Sequence, residues 1–302
     1  MTEIIINEPF RAIFYAPYYL AEAYGAFERQ GLNVRINTVG DLAKSGSGVL
    51  KGEADLAWSG PLRPLTDQSR DPNALLRSFC AVVMRDPFVL VGKGANPSFK
   101  LTDLSSLRLG VVSEVTTPTW CLKLDMMRAG LEVPSLNILQ GPSMAENTDA
   151  VLRGDLDVAL VFEPYASQVE AAGGSVWYAG ARRGLVAYSA FYATKTRISQ
   201  RREEMVAVVR AMSETLQWIA YTSATELTDK LKRYFHEVPG AILFESVHRY
   251  KRLQIWSETT VLPEEALNRL ADAALFAGAI THNPGYAACI DPSLAEQVQR
   301  GN

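Results

Sequence analysis

Cysteine and histidine are scarce in this 302-residue chain, three of each. Cys80, Cys121 and Cys289 are odd in number, widely spaced and set among apolar or small residues, so they make no disulfide framework. His236, His248 and His282 fall in no H-E-x-x-H spacing and no C-x-x-C occurs, which excludes the common dedicated metal sites. No apolar run reaches the roughly 18 residues that a membrane-spanning helix needs. Met1-Thr2-Glu3 leads straight into Ile4-Ile5-Ile6, without the basic region and longer apolar stretch of an export signal. An excess of positive charge is also missing. The 30 Lys+Arg against 33 Asp+Glu give a net charge of −3, and no basic stripe offers itself to nucleic-acid phosphates. With neither a GxxxxGK[ST] nor a GxGxxG segment, no nucleotide chemistry and no cofactor are expected.

What is present is a globular composition, 48% hydrophobic and 21% charged, long enough for about two domains. Short apolar runs alternate with amphipathic, Gly-punctuated stretches, the pattern of βαβ units and an α/β fold. Strands are expected near 4–6, 33–39, 55–58, 75–84, 88–91, 109–112, 136–139, 158–162 and 185–193. A helix over about 17–30 places Tyr19, Leu20, Ala23 and Phe27 on one face and ends at Gly31. Another starts near Ser45. In the middle third helices are expected near 117–129, 144–153 and 164–172, the second opened by the capping box Ser143 to Glu146. After Ile198 the pattern turns almost wholly helical, over 203–221, 225–235, 241–251 and 264–277.

The segment Gly52-Glu53-Ala54-Asp55-Leu56-Ala57 recurs as Gly154-Asp155-Leu156-Asp157-Val158-Ala159. A glycine cap, an Asp turn and an apolar strand make such a segment a generic αβ connection. Its recurrence at matched places, each followed by a loop of ligand-binding character (Trp58-Ser59-Gly60-Pro61 and Phe162-Glu163-Pro164-Tyr165), goes beyond that.

The chain resembles the type II periplasmic solute-binding proteins of ABC importers, in particular the group for nitrate, sulfonates, taurine and thiamine-pyrimidine precursors. The resemblance is carried by Ala16-Pro17-Tyr18-Tyr19-Leu20-Ala21, Gly25-Ala26-Phe27, Gly31-Leu32-Asn33-Val34 and Leu50 to Ala57. It continues through Leu101-Thr102-Asp103-Leu104, Leu109-Gly110-Val111 and Leu152 to Ala159, ending at Glu163-Pro164. It implies two lobes, each a doubly wound, mostly parallel sheet, with a helical C-terminal tail and a ligand clamped between them by hinge closure. Lobe one would be residues 1–86 completed by 190–302, and lobe two 87–189, with crossovers near 84–88 and 187–192.

Ligands of open α/β sheets bind outside the carboxyl ends of the strands, so the loops after the strands supply the candidates. These are Arg11, Phe14, Tyr15, Asp41, Trp58 and Ser59 from lobe one. Lobe two and the crossovers add Arg85, Ser113, Thr116, Thr117, Glu163 and Tyr188. Aromatic faces suit a planar ring. Glu163 could meet a protonated heterocycle or cap the helix that follows; Arg11 and Arg85 could clamp an anion, or Arg85 could pair with Asp86. Phe14, Tyr15 and Tyr188 could equally be interior aromatics, and the hydroxyls from Ser113 onward ordinary caps.

The leading expectation is the solute-binding component of an ABC importer, a monomer that takes a small planar or anionic molecule and delivers it to a permease. The alternative is a cytoplasmic enzyme on the same fold, a decarboxylase or a synthase of the thiamine pyrimidine. The loop Phe10 to Phe14 has no cysteine for a desulfinase, and no histidine precedes His236 for the synthase. If Met1 is the native start the protein stays in the cytoplasm; if a leader has been removed it is periplasmic or lipid-anchored.

Overall fold

The computed structural model describes residues 1–301. Its first sheet holds β1 (Thr2–Glu8), β2 (Leu32–Thr38), β3 (Leu56–Ser59), β4 (Leu76–Val83) and β10 (Ser189–Thr194), in the order β2-β1-β3-β10-β4. The second holds β5 (Val89–Gly92), β6 (Leu109–Gly110), β7 (Ile138–Leu139), β8 (Val158–Val161) and β9 (Ser175–Ala179), in the order β7-β6-β8-β5-β9. This is the expected two-sheet α/β architecture of type II periplasmic binding proteins, with one change: the sheets are mixed. The pairs among β1, β2 and β3 and among β6, β7 and β8 are parallel. β10 runs antiparallel to β3 and β4, and β5 antiparallel to β8 and β9. Both odd strands, β5 and β10, are those that enter a sheet directly from the other one, and they arrive pointing the opposite way.

The helices in the first half are α1 (Ala16–Ala23), α2 (Ala26–Arg29), α3 (Leu42–Leu50) and α4 (Leu62–Arg70), then α5 (Thr117–Arg128), α6 (Met144–Arg153) and α7 (Tyr165–Ala171). The tail contributes α8 (Lys195–Gln200), α9 (Arg202–Tyr221), α10 (Ala224–Leu231), α11 (Gly240–Arg252), α12 (Glu264–Phe276), α13 (Tyr286–Cys289) and α14 (Ser293–Arg300). The helix expected over 17–30 is broken in two, because Gly25 takes a left-handed φ of 74°. The α6 capping box forms as expected, Ser143 and Glu146 bonding reciprocally. Five elements went unanticipated, the short α8 and α13 among them. β9 follows Gly173-Gly174 as an edge strand with no clear alternation, α4 is polar with Pro64 in its first turn, and α14 is short.

Helix α3 begins earlier than expected, at Leu42, with the Asp41 carboxylate accepting from the Lys44 N–H at 2.8 Å. Its interior glycines mark close packing on the sheet. A Cβ on Gly48 would lie 2.5 Å from the amide nitrogen of buried Asn7. Gly48→Ala is therefore expected to destabilise by about 1–3 kcal/mol, read as a lowered urea midpoint with unchanged slope.

The chain passes between the sheets twice, after β4 and before β10, and the two passages lie side by side. Val186 N–H bonds to Met84 O, Tyr188 N–H to Val83 O and Gly180 N–H to Phe88 O, each at 2.9 Å. Buried Asp86 and Arg183 pair across the ribbon, and Arg183 also reaches Asp125 at 2.8 Å. The tail closes the edge of β4: Ala81, Val82 and Ser78 bond to Thr260, Ser257 and Asp291. It also reaches the second sheet, where α11 packs on α7. Among the described residues, no helix is long and apolar enough to cross a membrane.

Candidate functional site

The loops that follow the strands of both sheets enclose two adjoining cavities, of about 900 Å³ and about 270 Å³, that share Phe10, Leu42 and Ala43. The smaller, inner one is walled by Phe14, Tyr15, Phe88, Leu62 and Tyr188, with Ser59, Thr66, Thr116, Thr117 and Arg63 supplying polar groups. Its aromatic wall is continuous. Phe14 lies 4.2 Å from Tyr15 and 6.4 Å from Tyr188, and it meets Phe162 of the second sheet edge-on at 5.3 Å. Thr116 and Thr117 stand where α5 begins; the cap position carries no side-chain hydrogen bond and Pro118 has no N–H, so the N–H groups of Thr117 and Thr119 are the ones left for another partner.

The outer cavity is lined by Arg11, Asp41, Glu114, Phe162, Glu163 and Tyr165, and by the loop Tyr234 to Val238 between α10 and α11. Arg11 is held by the buried Glu8 at 3.0 Å and lies over the rings of Tyr19 and Tyr234, 5.5 and 6.0 Å from their centres. Glu8 itself also accepts from the Tyr19 hydroxyl at 2.6 Å. Glu114 accepts from the N–H groups of Met144 at 2.9 Å and Ser113 at 3.1 Å, which ties the start of α6 to the loop before α5. Burial first, and the charge of Glu114 second, push the Tyr165 phenol above its ordinary pKa.

Of the twelve residues singled out from sequence, nine border the two cavities: Arg11, Asp41 and Glu163 the outer, Phe14, Tyr15, Ser59, Thr116, Thr117 and Tyr188 the inner. Three lie elsewhere. Trp58 is fully buried, its indole stacked on Tyr18 at 4.3 Å with the planes 3° apart, because β3 is a central strand covered on both faces. Arg85 borders neither cavity, and the ion pair weighed for it belongs to Asp86 and Arg183. Ser113 is exposed, its hydroxyl turned to Glu114 at 3.3 Å.

Glu163 borders the outer cavity, but its carboxylate is already taken. It accepts from Arg249, from Ser246 at 3.2 Å and from the Ser167 N–H at 3.0 Å, and is 1% exposed. Arg249 also pairs with Glu170, and the Glu163 N–H donates to the Tyr250 hydroxyl at 2.9 Å. Sequence reasoning missed Phe10, Arg63, Phe88 and the 234–238 loop as cavity walls. Arg63 and Phe88 stand beside strand ends and could have been found by that rule. The loop could not, since nothing in its composition links it to strands far back in the chain.

The cavity lining holds no cysteine. Burial pushes the Cys121 thiol up to about 12 and the Cys289 thiol up to about 11, and raises that of Cys80 as well, so all three are protonated at neutral pH. Among the described residues, no group of three His, Cys, Asp or Glu side chains is placed to hold a metal.

Two mixed five-stranded sheets, joined by a double crossover with cavities at the strand ends, define the two-lobed fold of the type II periplasmic binding proteins. Within that class the NMT1/THI5-like family model matches residues 13–222, and this chain belongs to that family. YtlA of Bacillus subtilis (strain 168), which carries a binding-protein name, is 23% identical over 301 residues, covering 99% of this chain and 90% of its own. The periplasmic aliphatic sulphonate binding protein SsuA of Escherichia coli superposes with a TM-score of 0.73 at 15% identity, covering 92% of each chain. The desulfurization enzyme DszB, in complex with biphenyl-2-sulfinic acid, gives 0.71 at 13% identity, covering 100% of this chain and 99% of its own. At those identities the two structures share the fold with this chain.

Proposed function

We propose that this protein is the solute-binding component of an ABC importer, that it captures a small planar organic molecule in the cleft between its sheets, and that it works outside the cytoplasmic membrane. The observation that carries the reading is the inner cavity. It joins a wall of aromatic rings to a ring of hydroxyls and an open helix start, the mixture that holds a flat molecule by its faces and fixes its edge. The binding-protein name of YtlA points the same way. The paired crossover at 84–88 and 180–188 is the natural hinge, so lobe one comprises β1 to β4 with β10 and the tail, and lobe two β5 to β9. Enzymatic chemistry on this fold has less to work with, since the lining offers no thiolate and His236 is its one histidine. Delivery to a membrane permease then follows capture by a monomer.

A thermal-shift screen with pyrimidines, aromatic carboxylates, sulfonates, taurine and nitrate tests this. A true ligand at a hundredfold excess over its Kd adds about 2.7 kcal/mol of stability. It should be recovered chemically unchanged, and it should shrink the radius of gyration in solution scattering as the lobes close. Phe10→Ala, which strips a wall from both cavities, is expected to weaken binding about tenfold or more while costing little stability, because Phe10 is only half-buried. Conversion of the hit to a product would overturn the importer reading.

A further inference from the structure

We propose that the cleft selects a planar solute bearing a positive charge, with the charge held in the outer cavity between Asp41 and Glu114. This rests on the cleft being the solute site. It is argued from the balance of charge along the cavity walls. Each cationic side chain of the lining is already neutralised: Arg11 by Glu8 at 3.0 Å and Arg63 by Asp67 at 2.8 Å. Among the acids, Glu163 is neutralised by Arg249, and Glu237, at the exposed rim, has His236 beside it at 3.9 Å. Asp41 and Glu114 have no ion-pair partner among the described residues, although both border the outer cavity. Their exposed carboxylates accept backbone N–H groups at the starts of α3 and α6 and the hydroxyl of Ser113; the positive helix ends offset part of the charge, and no cationic side chain offsets the rest.

The walls around them are aromatic. Phe10, Phe162 and Tyr165 line the outer cavity, and a cation over an aromatic face is attracted by its quadrupole; Tyr234 is already stacked on Tyr19 and covered by Arg233. Arg11 over Tyr19 and Tyr234 already uses that interaction in the wall itself. A free anion finds no unpaired positive side chain in either cavity, only the start of α5 and hydroxyls. A ring in the inner cavity with a cationic substituent reaching across the shared Phe10, Leu42 and Ala43 satisfies both compartments at once.

Three ring-matched probes test this by calorimetry at low ionic strength: benzyltrimethylammonium, benzyl alcohol and phenylmethanesulfonate. The cation is expected to bind at least tenfold more tightly than the sulfonate, with the gap narrowing as salt is added. Asp41→Asn removes the charge yet keeps a residue that caps α3 equally well. It should weaken the cation about three- to fivefold and leave the alcohol unchanged, and adding Glu114→Gln should weaken the cation further. Melting curves check that the variants fold. Tighter binding of the sulfonate overturns the charge assignment and leaves the solute-binding reading intact, as does a cation indifferent to Asp41→Asn. Binding of none of the three overturns the assignment too, while the broader screen decides the solute-binding reading separately.

Discussion

Arg249→Ala is expected to cost about 3–5 kcal/mol of stability, the effect of leaving a buried carboxylate without its partner. Arg249 is 6% exposed and binds both Glu163 and Glu170, so its loss leaves the 1% exposed Glu163 carboxylate with only the Ser246 hydroxyl and the Ser167 N–H. The pair also joins α11 of the tail to the turn after β8, which makes it a tie between the tail and the second sheet. Urea unfolding followed by far-UV dichroism reads the change as a lowered midpoint. The double variant Arg249→Met with Glu163→Gln should recover much of the loss, because neither partner is then left charged. A single variant as stable as the parent would show that Glu163 is not buried as described. Of the two roles the sequence left open for Glu163, contact with a ligand or capping of the helix that follows, the structure agrees with the second, since the carboxylate accepts from the Ser167 N–H. Its removal should now act on folding before it acts on binding.

Trp58→Ala is expected to lose about 3–5 kcal/mol for a different reason, a large side chain removed from a packed interior. The indole is fully buried between Tyr18, Tyr19 and Phe191, with ring centres 4.3, 5.8 and 6.1 Å away. Trp58→Phe keeps most of the volume and should lose much less. The informative measurement is ligand affinity of the Trp58→Phe protein at a temperature where it is fully folded. Affinity within about twofold of the parent places Trp58 behind the wall, whereas a tenfold loss would put it at the ligand.

The two-sheet α/β class, the positions of most strands along the chain and the α6 cap were legible because they depend on local signals: apolar runs, Gly turns and Ser143 to Glu146. The mixed direction of the sheets was not, since strand polarity is fixed by where the chain comes from, and β5 and β10 come from the other sheet. β9 and α4 carried weak local patterns and are held in place by their neighbours, β9 by β5 and α4 by β4 and the tail.

The candidate site divides on the same line. Strand-end position located Phe14, Tyr15, Asp41, Ser59, Thr116 and Thr117 at the cavities, because the C-terminal ends of strands converge in any open α/β sheet. Whether a charged side chain in such a loop is free or taken is a question of distant partners. Glu8 takes Arg11 from three residues away, but Glu163 is taken by Arg249 from 86 residues further along the chain. The sequence by itself determined the family fold and the strand-end loops that border the two cavities, though not the 234–238 loop. Only the tertiary structure decided which of their charges are paired, because ion pairing in a folded chain is set by proximity in space, and that proximity gives Glu163 an arginine while Asp41 and Glu114 meet only N–H groups and a hydroxyl.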